Sequence, residues 1–147
     1  MDLARSGAWP RVERAHLAGE PACAACGPLW QPGTPVQVHH IFPVHYCRAL
    51  GRPDLELDPR NLLTLCSSAP GQDHHLLLGH LGDFLCANPS SRADAARFLG
   101  LSAEALHALP AWRAAVAGRL ASLPELTQAQ RNQLRAQMDE VLPPASR

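Results

Sequence analysis

The order Cys23-x-x-Cys26, His39-His40, Asn61, Cys66, His74-His75, His80 constrains this chain more than any other feature. His39, His40, His45, His74, His75 and His80 are six of its eight histidines, and all follow closely on the CxxC pair. Thiolate and imidazole donors at this density point to metal, and their order points to two sites with different jobs. A metal staple suits a chain of 147 residues, which has length for one compact domain with a modest core, or for a small domain with an appendage. Five cysteines, an odd number that includes a close CxxC, argue for ligation in a reducing compartment over a disulfide framework.

Hydrophobic residues make up 46% and charged residues 18%, which is globular and not disordered. No apolar run is long enough to span a bilayer, and the start MDLARSGAWPRVERAH has arginines but no apolar signal region. The expectation is an intracellular, cytoplasmic protein with no membrane partner. A net charge of zero does not mark the chain as a nucleic-acid binder. Its 13 basic residues are nevertheless all arginine. A biased composition explains that choice, and its consequence is that every cation can fork onto phosphate.

Three stretches follow one another. Pro10 at a first helical position and Gly19 as a stop predict a short helix over Trp9 to Gly19 that displays Arg11 and Arg14, within an N-terminal arm of residues 1–20. Residues 21–90 change pattern: a tight Cys-Ala-Ala-Cys-Gly turn, a strand-like Val36 to Ile41, a Pro-interrupted loop, a short run Asn61 to Leu65, and a candidate helix from His75 to Leu85. Residues 91–147 form a helical extension. There Leu109, Trp112, Val116, Leu120 and Leu123 recur at helical spacing, as do Leu134, Met138, Val141 and Leu142. Thr127 to Gln130 reads as a capping box for the second helix, and Pro143-Pro144 as its end. The extension packs either on the metal region or on a second copy of itself, which makes a homodimer one expectation.

Cys23 and Cys26 in a turn can place two thiolates on one tetrahedral zinc ion, with Cys66 as the natural third ligand and His74, or a residue shared with the second site, as the fourth. A redox role for the CxxC lacks the surrounding βαβ pattern. Cys47 and Cys86 sit in apolar segments and read as buried hydrophobes. In an extended segment His39 and His40 point to opposite sides, so that one can hold a metal while the other faces a substrate. Asp54, Glu56 and Asp58 read as a solvated acidic loop whose Asp58-Pro59 turn delivers Asn61. Asp73 reads as a helix cap, and His16 and His107 as ordinary residues.

The stretches VHHIFPVHYCRALGRPDLELDPRNLLTLC and HHLLLGHLGDF resemble an HNH endonuclease of the type whose ββα-metal unit is bracketed by a zinc staple. The resemblance covers residues from about Trp9 to Pro89. It implies an α+β fold, with a small zinc-stapled ββα-metal core between an N-terminal helix and a C-terminal helical extension. It implies His39 as a ligand of the catalytic metal, His40 as the general base and Asn61 as the residue that holds the loop and keeps the base oriented. His75 matches the metal-binding histidine at the start of the final helix.

Two departures stand out. The family places its next ligand four residues on, whereas His80 follows His75 by five with Gly79 between, so His80 either reaches the metal through a distorted helix or meets a phosphate. Where relatives close the staple with a second CxxC, this chain offers Cys66 and then His74 after a longer loop.

The implied activity is metal-dependent hydrolysis of phosphodiester bonds, nicking DNA with low sequence specificity, with RNA as the other nucleic-acid substrate. Cys23, Cys26, Cys66 and His74 would hold structural Zn²⁺. His39, His75 and His80 would hold one divalent catalytic ion, Mg²⁺, Mn²⁺, Ni²⁺ or Zn²⁺. Arg11, Arg14, Arg48, Arg52, Arg60 and His45 would contact the nucleic acid, mostly at phosphate. The alternative is a non-catalytic zinc-stabilised module that binds nucleic acid or protein.

Overall fold

β-Branched residues at Val36 and Val38 and the apolar run Leu62-Leu63-Thr64-Leu65 suit a pleated, half-buried surface. They form strands β1 (Val36–His40) and β2 (Leu62–Cys66), paired antiparallel in the register Val36↔Cys66, His39↔Leu63 and His40↔Leu62. The computed structural model describes residues 5–145.

Helix α1 (Trp9–Gly19) starts with Pro10 in its first turn, where the missing N–H costs nothing, and it has the bounds predicted. Its Trp9 packs with Val38 and Leu62 in a small cluster on one face of the hairpin. The Thr64 hydroxyl donates to the Glu20 carbonyl at 2.7 Å and fastens the end of the arm to β2. The main core lies on the other face, where Leu63 and Leu65 meet Phe42, Leu77 and Leu78.

The long connection between the strands is not the open loop expected. It holds a helix α2 (Val44–Ala49) and two 3-10 turns, Pro53–Glu56 and Pro59–Asn61. Asp58 accepts from the Arg60 backbone N–H and caps the second turn, which delivers Asn61 as anticipated. Glu56, by contrast, is buried, not solvated: its carboxylate takes the Ser6 N–H at 2.8 Å and the Arg48 guanidinium at 3.1 Å.

After β2 the predicted helix from His75 to Leu85 is a single π-helical turn, His75–Gly79, followed by turns. Then come α3 (Ser91–Arg97), α4 (Ala103–Ala108), α5 (Pro110–Ala117) and α6 (Gln128–Val141). The heptad-like run from Leu109 to Leu123 does not make one helix. α5 ends before Gly118, and Leu123 lies in a separate 3-10 turn after Ser122. α6 carries the capping box read from the sequence, with Thr127 and Gln130 bonded reciprocally.

These helices bury their apolar faces against their own chain: Leu106, Trp112, Leu134, Met138 and Leu142 share one core with Cys23, Phe42 and Tyr46. The Trp112 indole donates to the Leu77 carbonyl at 2.8 Å and Tyr46 to the carbonyls of Leu85 and Ala121. Among the described residues no helix is long and apolar enough to cross a membrane.

Arg52, expected at the substrate, is instead a structural tie. Its guanidinium is 2% exposed and donates to Asp54, to Asp139 at 2.8 Å and to the Leu142 carbonyl at 2.8 Å, so its fork is already filled. It joins the inter-strand connection to the end of α6. Both carboxylates are half exposed, which limits their share, so the buried carbonyl bond and the lost packing set the scale. Arg52→Ala is expected to lower the free energy of unfolding by about 2 kcal/mol in urea titrations, with no change in the salt dependence of nucleic-acid binding; a reduced salt slope would return Arg52 to the substrate.

Candidate metal centres and catalytic cleft

Cys23 and Cys26 come from the tight turn, Cys66 from the end of β2, and His74 from the loop that precedes the π-helical turn. The loop enters this turn through Ser68 and Asp73, both with positive φ, and Gly71. All four donors are buried. The three sulfurs lie 3.6, 3.5 and 3.3 Å from His74 Nδ1. In a tetrahedral zinc site, bonds of about 2.3 Å to sulfur and about 2.1 Å to nitrogen set ligand atoms about 3.6 Å apart. Backbone N–H groups of Ala25 and His74 point at Cys23 and Cys66, and the Gln72 amide at Cys26. His74 Nε2 donates to the Leu101 carbonyl at 2.7 Å, which leaves the Nδ1 lone pair toward the sulfurs.

Without a cation this set cannot carry three thiolates. Hydrogen bonds from Cys66 and His74 pull Cys23 down to about 3, while burial and the nearby Cys23 charge push Cys26 up to about 12. The bond to Cys23 and burial raise Cys66 as well. A divalent ion removes that conflict, so the donor set fits structural zinc.

The second cluster is His39, His75 and His80, with one ring nitrogen of each within 4.8 Å of the others. Five residues separate His75 from His80, which an α-helix would place about 140° apart at 100° per residue. The π-helical turn closes over five residues, not four, and so returns His80 to the side of His75. The three rings meet edge to face with centroids 4.9 to 5.0 Å apart.

The Cys86 carbonyl accepts from His80 Nδ1 at 2.8 Å and turns Nε2 inward. His75 Nδ1 is buried and has no hydrogen-bond partner among the described residues, so this ring is not fully satisfied by the protein. Burial holds all three imidazoles below their ordinary value, His75 down to about 4, with the neighbouring rings adding to the effect on His39 and His75. Neutral imidazoles are the form that binds a metal.

His40 takes the opposite face of β1, as strand alternation requires. Its ring packs on Trp9 with centroids 4.6 Å apart. Nε2 donates to the Glu56 carbonyl at 2.8 Å, which assigns the lone pair to Nδ1. Burial pushes His40 down to about 4, so it is neutral at pH 7. Asn61 is wholly buried: Oδ1 accepts from the Phe42 N–H at 2.8 Å, and Nδ2 donates to the carbonyls of Phe42 and Leu55, both at 3.0 Å. Those bonds tie the segment after His40 to the loop that carries Glu56.

One cleft of about 770 Å³ is lined by His39, His40, His75 and His80 together. Arg48 and His45 also line it, whereas Arg11 and Arg14 are exposed on α1 outside it, with Glu13 on the cleft side. Arg60 is exposed and bonded to Asp58 and to the Pro143 carbonyl. Sequence reasoning missed Arg5, which lines the cleft with its guanidinium over the Trp9 ring and Nη1 3.4 Å from His40 Nδ1. A lone arginine ahead of the first helix carries no signal by itself.

Comparison with known proteins agrees with this geometry. Residues 23–77 match the family model of the HNH endonucleases. This segment belongs to the HNH endonuclease family. No curated protein and no solved structure matches the chain. The HNH match takes in Cys23, Cys26, Cys66, His74, His39, His40, Asn61 and His75, and stops short of His80 and the helical tail.

Two expectations follow. Between about pH 6.5, where unfolded imidazoles titrate, and about 4, where His75 and His40 titrate in the fold, the unfolded chain binds more protons. Their stabilisation is complete above about pH 6.5 and drains as the pH falls toward 4. With the second metal withheld, the urea midpoint should fall across that window, and His75→Asn should show a shallower fall; equal slopes would mean that His75 is not held neutral in the fold. Gly79 is the second test. A Cβ there would sit 3.1 Å from His39 Cε1 and 3.2 Å from His75 Cδ2, so Gly79→Ala must push two rings apart. It should weaken binding of Ni²⁺ or Zn²⁺ at the triad about tenfold by calorimetry, in the range of losses seen when a ligand's support is disturbed, with the cysteine-bound zinc retained.

Proposed function

We propose that this protein is an HNH endonuclease that hydrolyses phosphodiester bonds of DNA, nicking with little sequence preference, through His40 as general base beside one divalent ion at His39, His75 and His80. The observation that carries the reading is the juxtaposition in one cleft of a three-imidazole donor set and a neutral imidazole whose Nδ1 is not taken by the Glu56 carbonyl and meets the Arg5 guanidinium at 3.4 Å.

His40 Nδ1 takes a proton from the attacking water while the Glu56 carbonyl, bonded to Nε2, steadies the imidazolium that forms. Asn61 holds the backbone on both sides of that bond and does no chemistry itself. A bound divalent ion would supply charge stabilisation for the phosphorus centre and its leaving oxygen. An all-imidazole set suits Mn²⁺, Ni²⁺ or Zn²⁺ better than Mg²⁺, which prefers oxygen. Cys23, Cys26, Cys66 and His74 hold structural zinc in this reading. Arg48, Arg5 and His45 at the cleft would meet phosphate, with Arg11 and Arg14 on α1 at longer range.

Arg5, Arg48 and His45 at the cleft offer contacts to phosphate, which carry no sequence information, and this supports low sequence preference. The working unit is the whole described chain, with residues 21–90 as the core and the flanking segments fastened to it. Leu106, Trp112, Leu134, Met138 and Leu142 of the extension pack within the chain, whereas its Leu99 and Val141 are exposed, and a homodimer through the extension is the expectation to test by the mass in solution.

The test is supercoiled plasmid nicking by protein with cysteine-bound zinc intact, after removal of loosely held metal and single additions of Mg²⁺, Mn²⁺, Ni²⁺ or Zn²⁺. Nicking should return with Mn²⁺, Ni²⁺ or Zn²⁺, and His40→Ala should reduce it about 10²- to 10⁴-fold, the usual share of a general base, at unchanged zinc content and melting temperature. No nicking of DNA or RNA under any ion by the folded protein would sink the catalytic reading and leave a binding module.

A further inference from the structure

The HNH match ends at Leu77, yet the triad leans on residues beyond it. His80 itself is one, and the Cys86 carbonyl that holds its Nδ1 is another. A third is Ser91, the first residue of α3, which is wholly buried and places Oγ 3.3 Å from His39 Nε2. The other edge of that ring faces the π-helical turn: a Cβ on Gly79 would lie 3.2 Å from His39 Nδ1 and 3.2 Å from His75 Cδ2. Nδ1 is therefore on the edge that faces the π-helical turn carrying His75, and Nε2 is the nitrogen turned toward the tail.

From this we infer that Ser91 is a positioning residue for the candidate catalytic metal: its hydroxyl accepts the Nε2–H of His39 and so reserves the Nδ1 lone pair for the ion. A neutral imidazole carries one N–H, and which nitrogen bears it is set by the partner of the other. His39 is buried, so water cannot supply that partner. Ser91 is well placed to do so. Its own N–H is bonded to the Asn88 carbonyl at 3.0 Å. The Asn88 side chain is in turn fixed to the Leu78 carbonyl at 2.7 Å and to Asp94 at 2.9 Å, so the start of α3 is tied to the π-helical turn that carries the other ligands. The Arg92 guanidinium bonds the Leu62 carbonyl at 2.8 Å and pins the same helix to β2, opposite His40 in the sheet register. The start of α3 is thus a rigid mount at the level of the triad.

This inference rests on the metal role proposed for His39, His75 and His80, and the experiment separates the two. Binding of Co²⁺ and Ni²⁺ is titrated by calorimetry and by visible absorption of the Co²⁺ form, in protein that retains its cysteine-bound zinc, for wild type, Ser91→Ala and Ser91→Thr. The His39 tautomer is read in parallel from ¹⁵N imidazole shifts of the form without the second ion. Ser91→Ala should lose ten- to a hundredfold in affinity, the usual effect of removing a ligand's outer partner, and should show mixed His39 tautomers. Its melting temperature without the second ion should stay close to wild type. Ser91→Thr should keep both the affinity and the Nε2–H tautomer. An Ala variant with wild-type affinity and a pure Nε2–H tautomer would overturn the role of Ser91 while leaving the triad a metal site. A wild type that binds no ion beyond zinc would overturn the triad itself, and with it this inference.

Discussion

The four donors Cys23, Cys26, Cys66 and His74 are the constraint on which the rest of the structure depends, because they join four separate pieces of chain at one point. The CxxC turn, the end of β2 and the loop into the π-helical turn contribute the donors, and the tail contributes the Leu101 carbonyl that orients His74. Loop closure over such separations is costly for a small fold, and a metal bonded to all of them would offset it. His75, the next residue, belongs to the other cluster. Anything that sets the position of His74 therefore sets the start of the triad as well.

The π-helical turn is the local answer to a spacing that an α-helix could not use. An additional residue between His75 and His80 would rotate the second ring away; widening the turn absorbs that residue and brings the ring back. The accommodation needs a residue without a side chain at Gly79, where His39 and His75 close in. It also needs support from outside the turn. The Cys86 carbonyl, the Trp112 indole on Leu77 and the Asn88 amide on Leu78 provide it, all from beyond the family-matched segment. The residues that follow the family-matched segment, Cys86 and Asn88 together with Trp112 of the helical tail, thus clamp the turn.

What was legible in the sequence was the part governed by local rules. Helix α1, both strands and the Thr127 capping box follow from Pro placement, alternation and capping chemistry within a few residues of each other. The opposite facing of His39 and His40 was likewise foreseeable once the strand was recognised, and the pairing of His39 with His75 came from the family resemblance. The sequence left the place of His80 open between metal and phosphate, because the π-helical turn was not read from it. What was not legible depends on contacts across the fold. Nothing near Arg52 says that Asp139 and the Leu142 carbonyl will fill its fork, and nothing near Glu56 says that Ser6 and Arg48 will come to cover it. The run Leu109 to Leu123 has helical period, yet Gly118 and Pro124 break it: Trp112 and Val116 lie in α5, Leu123 in the 3-10 turn, and Leu109 and Leu120 outside both, all packed on the same core.

The fate of the arginines follows from the same competition between internal and external acceptors. A chain of zero net charge has no excess cation to commit to a polyanion, so each arginine consumed inside the fold is lost to a substrate. Arg52, Arg60, Arg92, Arg119 and Arg135 all donate to backbone carbonyls of the chain itself. Arg5 and Arg48 remain at the cleft, one against His40 and the other against Glu56, whose carbonyl holds His40. Both line the cleft beside the triad, although the Arg48 charge is already paired with the Glu56 carboxylate at 3.1 Å. In the proposed function it is local placement at the cleft, and not overall charge, that would meet a nucleic-acid backbone, which is why composition by itself pointed away from one.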